Sequence, residues 1–285
     1  MNTNTLPEYY NEATPNPCYR LENLPLFETY MFQNCPLAIV LVVEGSTRNF
    51  RSEILKHRPC HQVIIQHNKT FRNCPKKLLQ NKVACDLYHA YKNAFTVALN
   101  KGVPRVCIFE DDFFMADYNK HLVQQIDLFI QESNPSIYSL GAFSAKPAEF
   151  FNINKTHVRC INIISSHAVI YSAQYMKKFI EYTPTDVFYC HVDQVWHKIT
   201  PDDLWVTATP IAFQLMVETE NSKEWSTWMS RQFFSFFKMN QTHTNWKMLM
   251  WWCIHHRCVL LMFLMFSAII IILTMSIIMY IRYIR

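Results

Sequence analysis

The chain has 285 residues, which suits one sizeable domain with short additions, because single hydrophobic cores rarely grow beyond about 250–300 residues. Its formal charge of +5 is the difference between 27 basic and 22 acidic residues, and the basic residues are scattered without a run, which argues against nucleic acid as a partner. Only three glycines are present, so the glycine-rich loops of P-loop and dinucleotide-binding proteins are excluded.

Apolar segments alternate along the chain in a pattern that predicts an α/β domain. Residues 1–34 are polar and without a clear period, which indicates an arm that lies on the domain or is disordered. Residues 37–43 (LAIVLVV) predict a central strand covered on both faces, followed by a turn and a short charged helix. The clearest helix is 84–100, which Gly102 and Pro104 terminate. Further strands are predicted at 62–65, 106–109, 137–140, 161–164, 168–171 and 204–208, and further helices at 172–181 and 192–199. This alternation predicts a mostly parallel sheet.

The C-terminal part has a different composition. Residues 221–257 contain five of the seven tryptophans, which predicts an aromatic juxtamembrane segment or, alternatively, a terminal helix packed on the domain. Residues 259–280 carry no charge, and as a helix they would span roughly 33 Å, enough for a bilayer core. We therefore predict a catalytic domain at 35–220, one transmembrane helix at 258–281 and a short tail at 282–285.

Cysteine use and the N-terminal sequence predict the location of the domain. The first 17 residues include three prolines and two glutamates, at positions where the apolar part of a signal peptide would lie. No signal peptide is therefore predicted. None of the ten cysteines forms a C-x-x-C pair, which indicates reduced, buried thiols rather than a disulfide or zinc framework. We therefore expect a tail-anchored, single-pass protein of an endomembrane, with the bilayer as a partner and the catalytic domain in the cytosol.

Three consecutive carboxylates, Glu110, Asp111 and Asp112, follow the predicted strand 106–109. Ligands of open α/β sheets bind beyond the carboxyl ends of the strands, so this is a favoured position for a site. Crowded carboxylates need a divalent cation or a hydrogen-bond network, and hard oxygen ligands suit Mg²⁺ or Mn²⁺ with diphosphate oxygens completing the shell. Because alternate residues of an extended segment share a side, Glu110 and Asp112 are the predicted metal ligands. The alternative is a solvated acidic turn.

Several stretches, in this order, resemble glycosyltransferase family 25, the lipooligosaccharide and collagen-type galactosyltransferases, across residues 37–214. They are 46–51 (STRNFR), 84–89 (ACDLYH), 106–112 (VCIFEDD), 167–172 (HAVIYS) and 210–214 (PIAFQ). The second stretch keeps Cys85 and His89 of a Gly-Cys-x-x-Ser-His motif but departs from it at Ala84 and Tyr88, whereas VCIFEDD shows no departure. The resemblance implies a GT-A-like nucleotide-sugar-binding fold.

The resemblance also implies an activity. It is that of a metal-dependent hexosyltransferase, which moves galactose or glucose from a UDP-sugar to a glycan, glycoprotein or glycolipid acceptor. Mn²⁺ or Mg²⁺ would assist, and the configuration at the anomeric carbon would be inverted. The rival hypothesis is a catalytically inactive, membrane-tethered interaction protein that keeps the GT-A scaffold, since fold does not imply function. A metal-dependent phosphohydrolase would need further His and Asp ligand pairs that the sequence lacks.

The site residues follow from the matched stretches. Asp112, together with Glu110 acting directly or through a water molecule, would hold the metal that neutralises the leaving diphosphate. Arg48 and Arg51, together with Asp111, would contact the nucleotide or its phosphates, although both arginines also suit an exposed helix surface.

An inverting transfer also needs a general base to deprotonate the acceptor hydroxyl. Asp193 is the candidate, with a structural carboxylate at the start of a helix as the alternative. His167 would contact the metal or the diphosphate, and His89 would hold the Cys85 helix to the loop after the first strand. A structural role for each histidine is the alternative.

Overall fold

The computed structural model describes residues 16–142, 144–148, 156–215, 264 and 267–276. The strands are β1 (Tyr19–Asn23), β2 (Leu37–Val43), β3 (Gln62–Asn68), β4 (Arg105–Glu110), β5 (Phe113–Met115), β6 (Ile137–Ser139), β7 (Ser144–Pro147), β8 (His157–Ile164), β9 (Ala168–Ser172), β10 (Leu204–Thr207) and β11 (Ala212–Gln214). The helices are α1 (Phe50–His57), α2 (Val83–Asn100), α3 (Lys120–Ser133), α4 (Ala173–Glu181) and α5 (Val192–Ile199), with a 3₁₀ helix at Val187–Cys190.

Nine of these strands form one mixed sheet, in the order β1-β3-β2-β4-β9-β6-β10-β8-β7. The neighbours β3, β2 and β4 are parallel, as are β6 and β10, and the remaining neighbours are antiparallel. The strands β5 and β11 pair antiparallel in a separate sheet. The prediction of an α/β domain is confirmed. The predicted parallel pairing is observed between β2 and each of its two neighbours, β3 and β4.

The central strand β2 explains why its sequence is uniformly apolar. Successive side chains of a strand lie on opposite faces of the sheet. Leu37, Ile39 and Leu41 belong to the core on one face, and Ala38 and Val40 belong to the core on the other face. Because both faces of the sheet are covered, apolar side chains suit every position of β2 before its last residue.

Helices cover the two faces of the sheet in separate groups. The first face carries α2, α4 and α5, whose buried side chains include Tyr91, Phe179 and Trp196. The second face carries α1 and α3, represented by Ile54 and Ile126. The result is a three-layer sandwich, in which the loops at the carboxyl ends of β2 and β4 lie beyond the sheet edge.

The predicted transmembrane helix is wrong. In the part of the chain that the structure describes, no helix is long and apolar enough to cross a membrane. The membrane-anchored fold class is therefore corrected, together with the endomembrane location, the cytosolic orientation and the bilayer partner that depended on it. The aromatic segment 221–257 and the tail 282–285 lie outside the described residues.

The prediction of reduced thiols without a disulfide is also corrected. Cys18 and Cys74 form a disulfide with a Cα–Cα separation of 5.6 Å. It joins the residue just before β1 to the loop between β3 and α2. The bond was missed because its cysteines are 56 positions apart and follow no recognisable spacing.

The backbone at Gly141 lies very close to the backbone of Ala212, so a substitution of Gly141 tests the packing around the two-stranded sheet of β5 and β11. An added Cβ at this position would overlap the carbonyl oxygen of Ala212, whose own N–H donates to Leu140 O at 3.2 Å. We expect Gly141→Ala to lower the free energy of unfolding by about 2–3 kcal/mol, measured by urea denaturation. As the control, Gly102→Ala adds a Cβ in open space but at a φ of +68°, so it should cost only about 1 kcal/mol. Equal losses for the two variants would contradict the close approach at Gly141.

Candidate functional site

The carboxylate triplet lies at the end of the sheet where β4 ends and its neighbour β9 begins. The strands β4 and β9 are antiparallel and Phe109 is opposite Ala168, so the residues after β4 lie beside those before β9. The backbone N–H of Glu110 donates to the carbonyl oxygen of His167 at 3.0 Å. The topology therefore brings residues 110–112 and 165–167 together at one end of the sheet.

Two hydroxyl groups hold the carboxyl group of Glu110. Its Oε1 accepts from Tyr91 Oη at 2.9 Å and from Ser166 Oγ at 2.5 Å. Burial raises the pKa of Glu110 to about 8, with repulsion from Asp112 as the next cause, and the bonds from Ser166 and Tyr91 oppose the rise. A nearby positive charge would favour the ionised form of this carboxyl.

Asp112 has one oxygen engaged and one that is not. Gln214 Nε2 donates to its Oδ2 at 2.9 Å. Its Oδ1 is buried and has no hydrogen-bond partner among the described residues. Burial raises the pKa of Asp112 to about 6, against the opposing effects of Gln214 and Arg48. A buried carboxylate oxygen without a donor is costly, and a bound cation would remove that cost.

Ser165 joins Asp112 to the predicted base. Its φ is 92°, an uncommon conformation for a residue other than glycine that costs about 1–3 kcal/mol. The Ser165 N–H donates to Asp193 Oδ2 at 3.2 Å, and its Oγ donates to Gln214 Oε1 at 2.7 Å. Since the Ser165 hydroxyl proton goes to Gln214, the 2.7 Å contact with His167 Nδ1 requires the histidine to donate. Hydrogen bonds therefore run from Asp112 through Gln214 and Ser165 to Asp193.

A cavity of about 350 Å³ lies beside the loop that follows β2. We call it the β2 pocket, and its lining includes Arg20, Glu44, Arg48, Phe50, Arg51 and His67. Its volume is at the low end of the range of small-molecule sites, roughly 300–1,000 Å³. The turn that forms one wall needs a glycine, because Gly45 has a φ of +86°.

Two ion pairs order the basic side chains of the β2 pocket. Arg48 Nη1 bonds to Asp111 Oδ1, which links the pocket directly to the carboxylate triplet. On the other side, Arg51 Nη2 donates to both carboxylate oxygens of Glu22, at 2.9 and 3.0 Å. His67 Nε2 lies 3.0 Å from the same carboxylate, and the pKa of Glu22 is lowered by His67 and Arg51 against the effect of burial.

The predicted site residues separate into two groups. Residues around the triplet come together: Glu110, Asp111, Asp112, His167, Asp193 and, through the β2 pocket, Arg48 and Arg51. His89 lies elsewhere, since its Nδ1 is 2.6 Å from Tyr19 Oη and the two rings are stacked. Burial lowers the pKa of His89 to about 4, followed by repulsion from Lys76, which suits a neutral histidine holding β1 against α2.

Four residues of the site belong to no sequence pattern that predicts a role for them. They are Tyr91, Ser165, Ser166 and Gln214. Gln214 ends one of the matched stretches, and Ser165 and Ser166 directly precede another, so the resemblance lies next to them without assigning their contacts. The strained φ of Ser165 cannot be inferred from residue type.

The carboxylate oxygens of the triplet would suit a cation whose remaining ligands come from a substrate. In the part of the chain that the structure describes, no group of three or more His, Cys, Asp or Glu side chains could hold a metal by itself. Asp112 Oδ1 is a hard oxygen donor without a partner, and Glu110 is its neighbour in the triplet. Mg²⁺ commonly binds to one or two carboxylates and completes its shell with substrate phosphates and water.

Comparisons with known proteins give only weak likenesses. No family model matches the sequence, and no curated protein matches it. Among solved structures, A197 from STIV shares 10% identity at a TM-score of 0.39, with 65% of this chain and 87% of that chain covered. A glycosyltransferase involved in the glycosylation of the major capsid of PBCV-1 shares 9% identity at a TM-score of 0.37, over 66% of this chain and 97% of that one. An apo UDP-glucose pyrophosphorylase shares 8% at 0.33, over 61% and 73%. Membership of glycosyltransferase family 25 is therefore not established.

Proposed function

We propose that the chain is a glycosyltransferase that binds a UDP-sugar at the β2 pocket and transfers its hexose with the help of Mn²⁺ or Mg²⁺. The observation that carries the proposal is the hydrogen-bonded connection between Asp112 and Asp193 through Gln214 and Ser165. It joins a carboxylate suited to a metal to a second carboxylate on a different element, and the Arg48–Asp111 ion pair joins the carboxylate triplet to a basic pocket.

The β2 pocket is the proposed site of the nucleotide and its phosphates. Arg20, Arg48, Arg51 and His67 bring basic groups to a cavity at the carboxyl end of β2, where open α/β sheets bind their ligands. Glu22 holds Arg51 and His67 in place, so the guanidinium and imidazole groups are oriented before a ligand arrives. Preorganised donors lower the entropic cost of binding an anion.

Asp112 is the proposed main ligand of the cation, with Glu110 beside it. When bound, a divalent cation would supply positive charge that stabilises the diphosphate as the bond to the sugar breaks. The protein's own contribution is to bury two carboxyl groups whose ionisation costs free energy without that charge. Gln214 donates to one oxygen of Asp112, and the other oxygen, which is buried, has no hydrogen-bond donor among the described residues.

Asp193 is the proposed general base for the acceptor hydroxyl. It lies in the first turn of α5, an element separate from the triplet. Its Oδ2 accepts from the backbone N–H of Ser165, and this bond fixes the carboxylate without neutralising it. A base on a separate element suits inversion, because the acceptor attacks the sugar face opposite the diphosphate.

The proposed donor is UDP-galactose or UDP-glucose, and the proposed acceptor is a glycan, a protein or a lipid. These finer assignments rest on the resemblance of the matched stretches, which ends at Gln214. The test of the proposed function is calorimetric titration of the full chain with UDP, in the presence of Mn²⁺ and then of a chelator. We expect saturable binding that the chelator weakens at least tenfold. Equal affinity in both conditions would remove the metal from the proposal.

Arg48 provides a further test of the β2 pocket. Replacing it by alanine removes a charged donor and leaves Asp111 without its ion pair, so we expect UDP binding to weaken about 10- to 100-fold. The matched control is Arg58→Ala, which removes an exposed arginine whose guanidinium contacts Thr29 and the Phe27 ring, away from the pocket lining. An unchanged affinity in Arg48→Ala would place the nucleotide outside the β2 pocket.

A further inference from the structure

Two buried cysteines far apart in the sequence have adjacent sulfur atoms. Cys85 lies in the first turn of α2, and Cys190 ends the 3₁₀ helix Val187–Cys190. Their Sγ atoms are 2.8 Å apart, only about 0.8 Å longer than a disulfide bond of about 2.0 Å. The cysteines are 2% and 1% exposed and belong to the same apolar core.

A shared metal does not account for this contact. Among the described residues, no third His, Cys, Asp or Glu side chain joins the two sulfur atoms in a group that could hold a metal. The chain also forms a disulfide elsewhere, between Cys18 and Cys74, so its cysteines are not confined to the thiol state. The two thiols are within hydrogen-bond distance of each other, and oxidation is the covalent chemistry that such a pair offers.

We propose that Cys85 and Cys190 form a second disulfide, by exchange with a low-molecular-weight disulfide such as oxidised glutathione. One cysteine thiolate attacks a sulfur of the small disulfide, which expels one glutathione thiolate and forms a mixed disulfide. The second cysteine loses its proton to solvent, attacks the mixed disulfide at the protein sulfur and expels the other glutathione. Two protein thiols are oxidised by two electrons, and one small disulfide is reduced to two thiols.

The bond forms while the chain folds. Burial raises the pKa of Cys190 to about 12, with the neighbouring Cys85 as the next cause, so little thiolate exists in the folded core. Exchange requires a thiolate that the small disulfide can reach. Both conditions are met only before α2 and the 3₁₀ helix close over the sulfur atoms.

The disulfide joins two elements that carry residues of the candidate site. The helix α2 carries Tyr91, which donates to Glu110, and the 3₁₀ helix leads into α5, which carries Asp193. The cysteines are 105 positions apart, so the bond closes a long loop and restricts the unfolded chain strongly.

Peptide mapping tests the proposal without any assay of transfer. The full chain is refolded with a series of glutathione ratios, alkylated in denaturant and cut with trypsin without reduction. Cys85 and Cys190 are the single cysteines of the tryptic peptides 83–92 and 179–198, and Cys18 and Cys74 those of 1–20 and 73–76. We expect 83–92 joined to 179–198 at every ratio that joins 1–20 to 73–76 completely. Separately alkylated 83–92 and 179–198 at those ratios, or no joined peptides across the whole series, would overturn the proposal.

Thermal unfolding separates a disulfide from simple packing. In oxidising buffer, Cys85→Ser and Cys190→Ser should each lower the unfolding midpoint by about 5 °C or more relative to the parent chain. In reducing buffer that difference should shrink to the small cost of the substitution. The control Cys160→Ser changes a buried cysteine on β8, and its difference from the parent should be the same in both buffers. Redox-independent differences for Cys85→Ser and Cys190→Ser would contradict the second disulfide.

Discussion

Asp112→Asn abolishes the Mn²⁺-dependent binding of UDP if the carboxylate triplet is the centre of the site. Asparagine has nearly the same shape, and its side-chain oxygen can still accept the hydrogen bond that Gln214 Nε2 donates to Asp112 Oδ2. What disappears is the charge on the oxygen that has no partner among the described residues. Loss of a charged metal ligand should reduce affinity by at least about 100-fold, measured by calorimetry with Mn²⁺ present.

Two controls separate this effect from a change in folding. Asp202→Asn removes an exposed carboxylate between α5 and β10, and UDP binding should be unaffected. The thermal unfolding midpoint of Asp112→Asn without ligand should equal or exceed that of the parent, because a buried charge has been removed. If Asp112→Asn still binds UDP with parental, Mn²⁺-dependent affinity, Asp112 is not a metal ligand.

Asp193→Asn should leave UDP binding nearly normal and slow transfer by about 100-fold or more, the usual scale for the loss of a general base. The asparagine oxygen can keep the bond from the Ser165 N–H, so the strained turn at Ser165 is retained. Basicity is the property that changes. The measurement is the pair of UDP affinity and transfer rate, taken on the same preparation.

Asp186→Asn is the matched control for Asp193→Asn. Asp186 also accepts one backbone N–H, from Phe188 at 2.7 Å, and it caps the 3₁₀ helix that precedes α5. Its amide variant should transfer at the parental rate. A joint fall of affinity and rate in Asp193→Asn would indicate a structural or metal-binding role. A normal rate in Asp193→Asn together with a slow one in Asp186→Asn would move the base to Asp186.

The central strands of the fold and the helices α2 and α5 could be predicted from the sequence because their apolar residues follow a regular pattern. A strand buried on both faces must be apolar throughout, and β2 and β4 are recognisable for that reason. The helix α2 was predicted at 84–100 and is observed at Val83–Asn100, since it has an apolar stripe and a glycine just beyond its end. The helix α5 matches its predicted range of 192–199.

The elements that were not predicted from the sequence are stabilised by pairing with other segments of the fold. The edge strand β1 exposes most of its side chains and exists because Tyr19–Asn23 hydrogen-bonds to β3, so a part of the expected N-terminal arm belongs to the sheet. The strands β5 and β11 have three residues each and depend on pairing with one another. The helix α3 was missed although Val123, Ile126 and Ile130 have helical spacing. The C-terminal apolar run has the composition of a membrane span, but among the described residues no helix has the length and apolar character to cross a bilayer.

The acidic part of the site could be anticipated, and the contacts around it could not. Three carboxylates after a buried strand are visible in the sequence, whereas Ser165, Gln214 and Tyr91 are ordinary polar residues until the fold brings them to Asp112 and Glu110. Asp193 was predicted as a base by resemblance, and its connection to the triplet depends on the conformation of Ser165. Residues that act through contacts from distant segments carry no pattern of their own.

The most direct test of the proposed function is a donor panel with the full chain. UDP-, GDP- and CMP-sugars are incubated with Mn²⁺ and a mixture of sugar acceptors, and the release of free nucleotide is followed, with Asp112→Asn as the blank. We predict Mn²⁺-dependent release of UDP from UDP-galactose or UDP-glucose that exceeds the blank by at least about tenfold. Binding of UDP without release from any donor would favour the inactive scaffold over the enzyme. Neither binding nor release with any nucleotide sugar would contradict the proposed function.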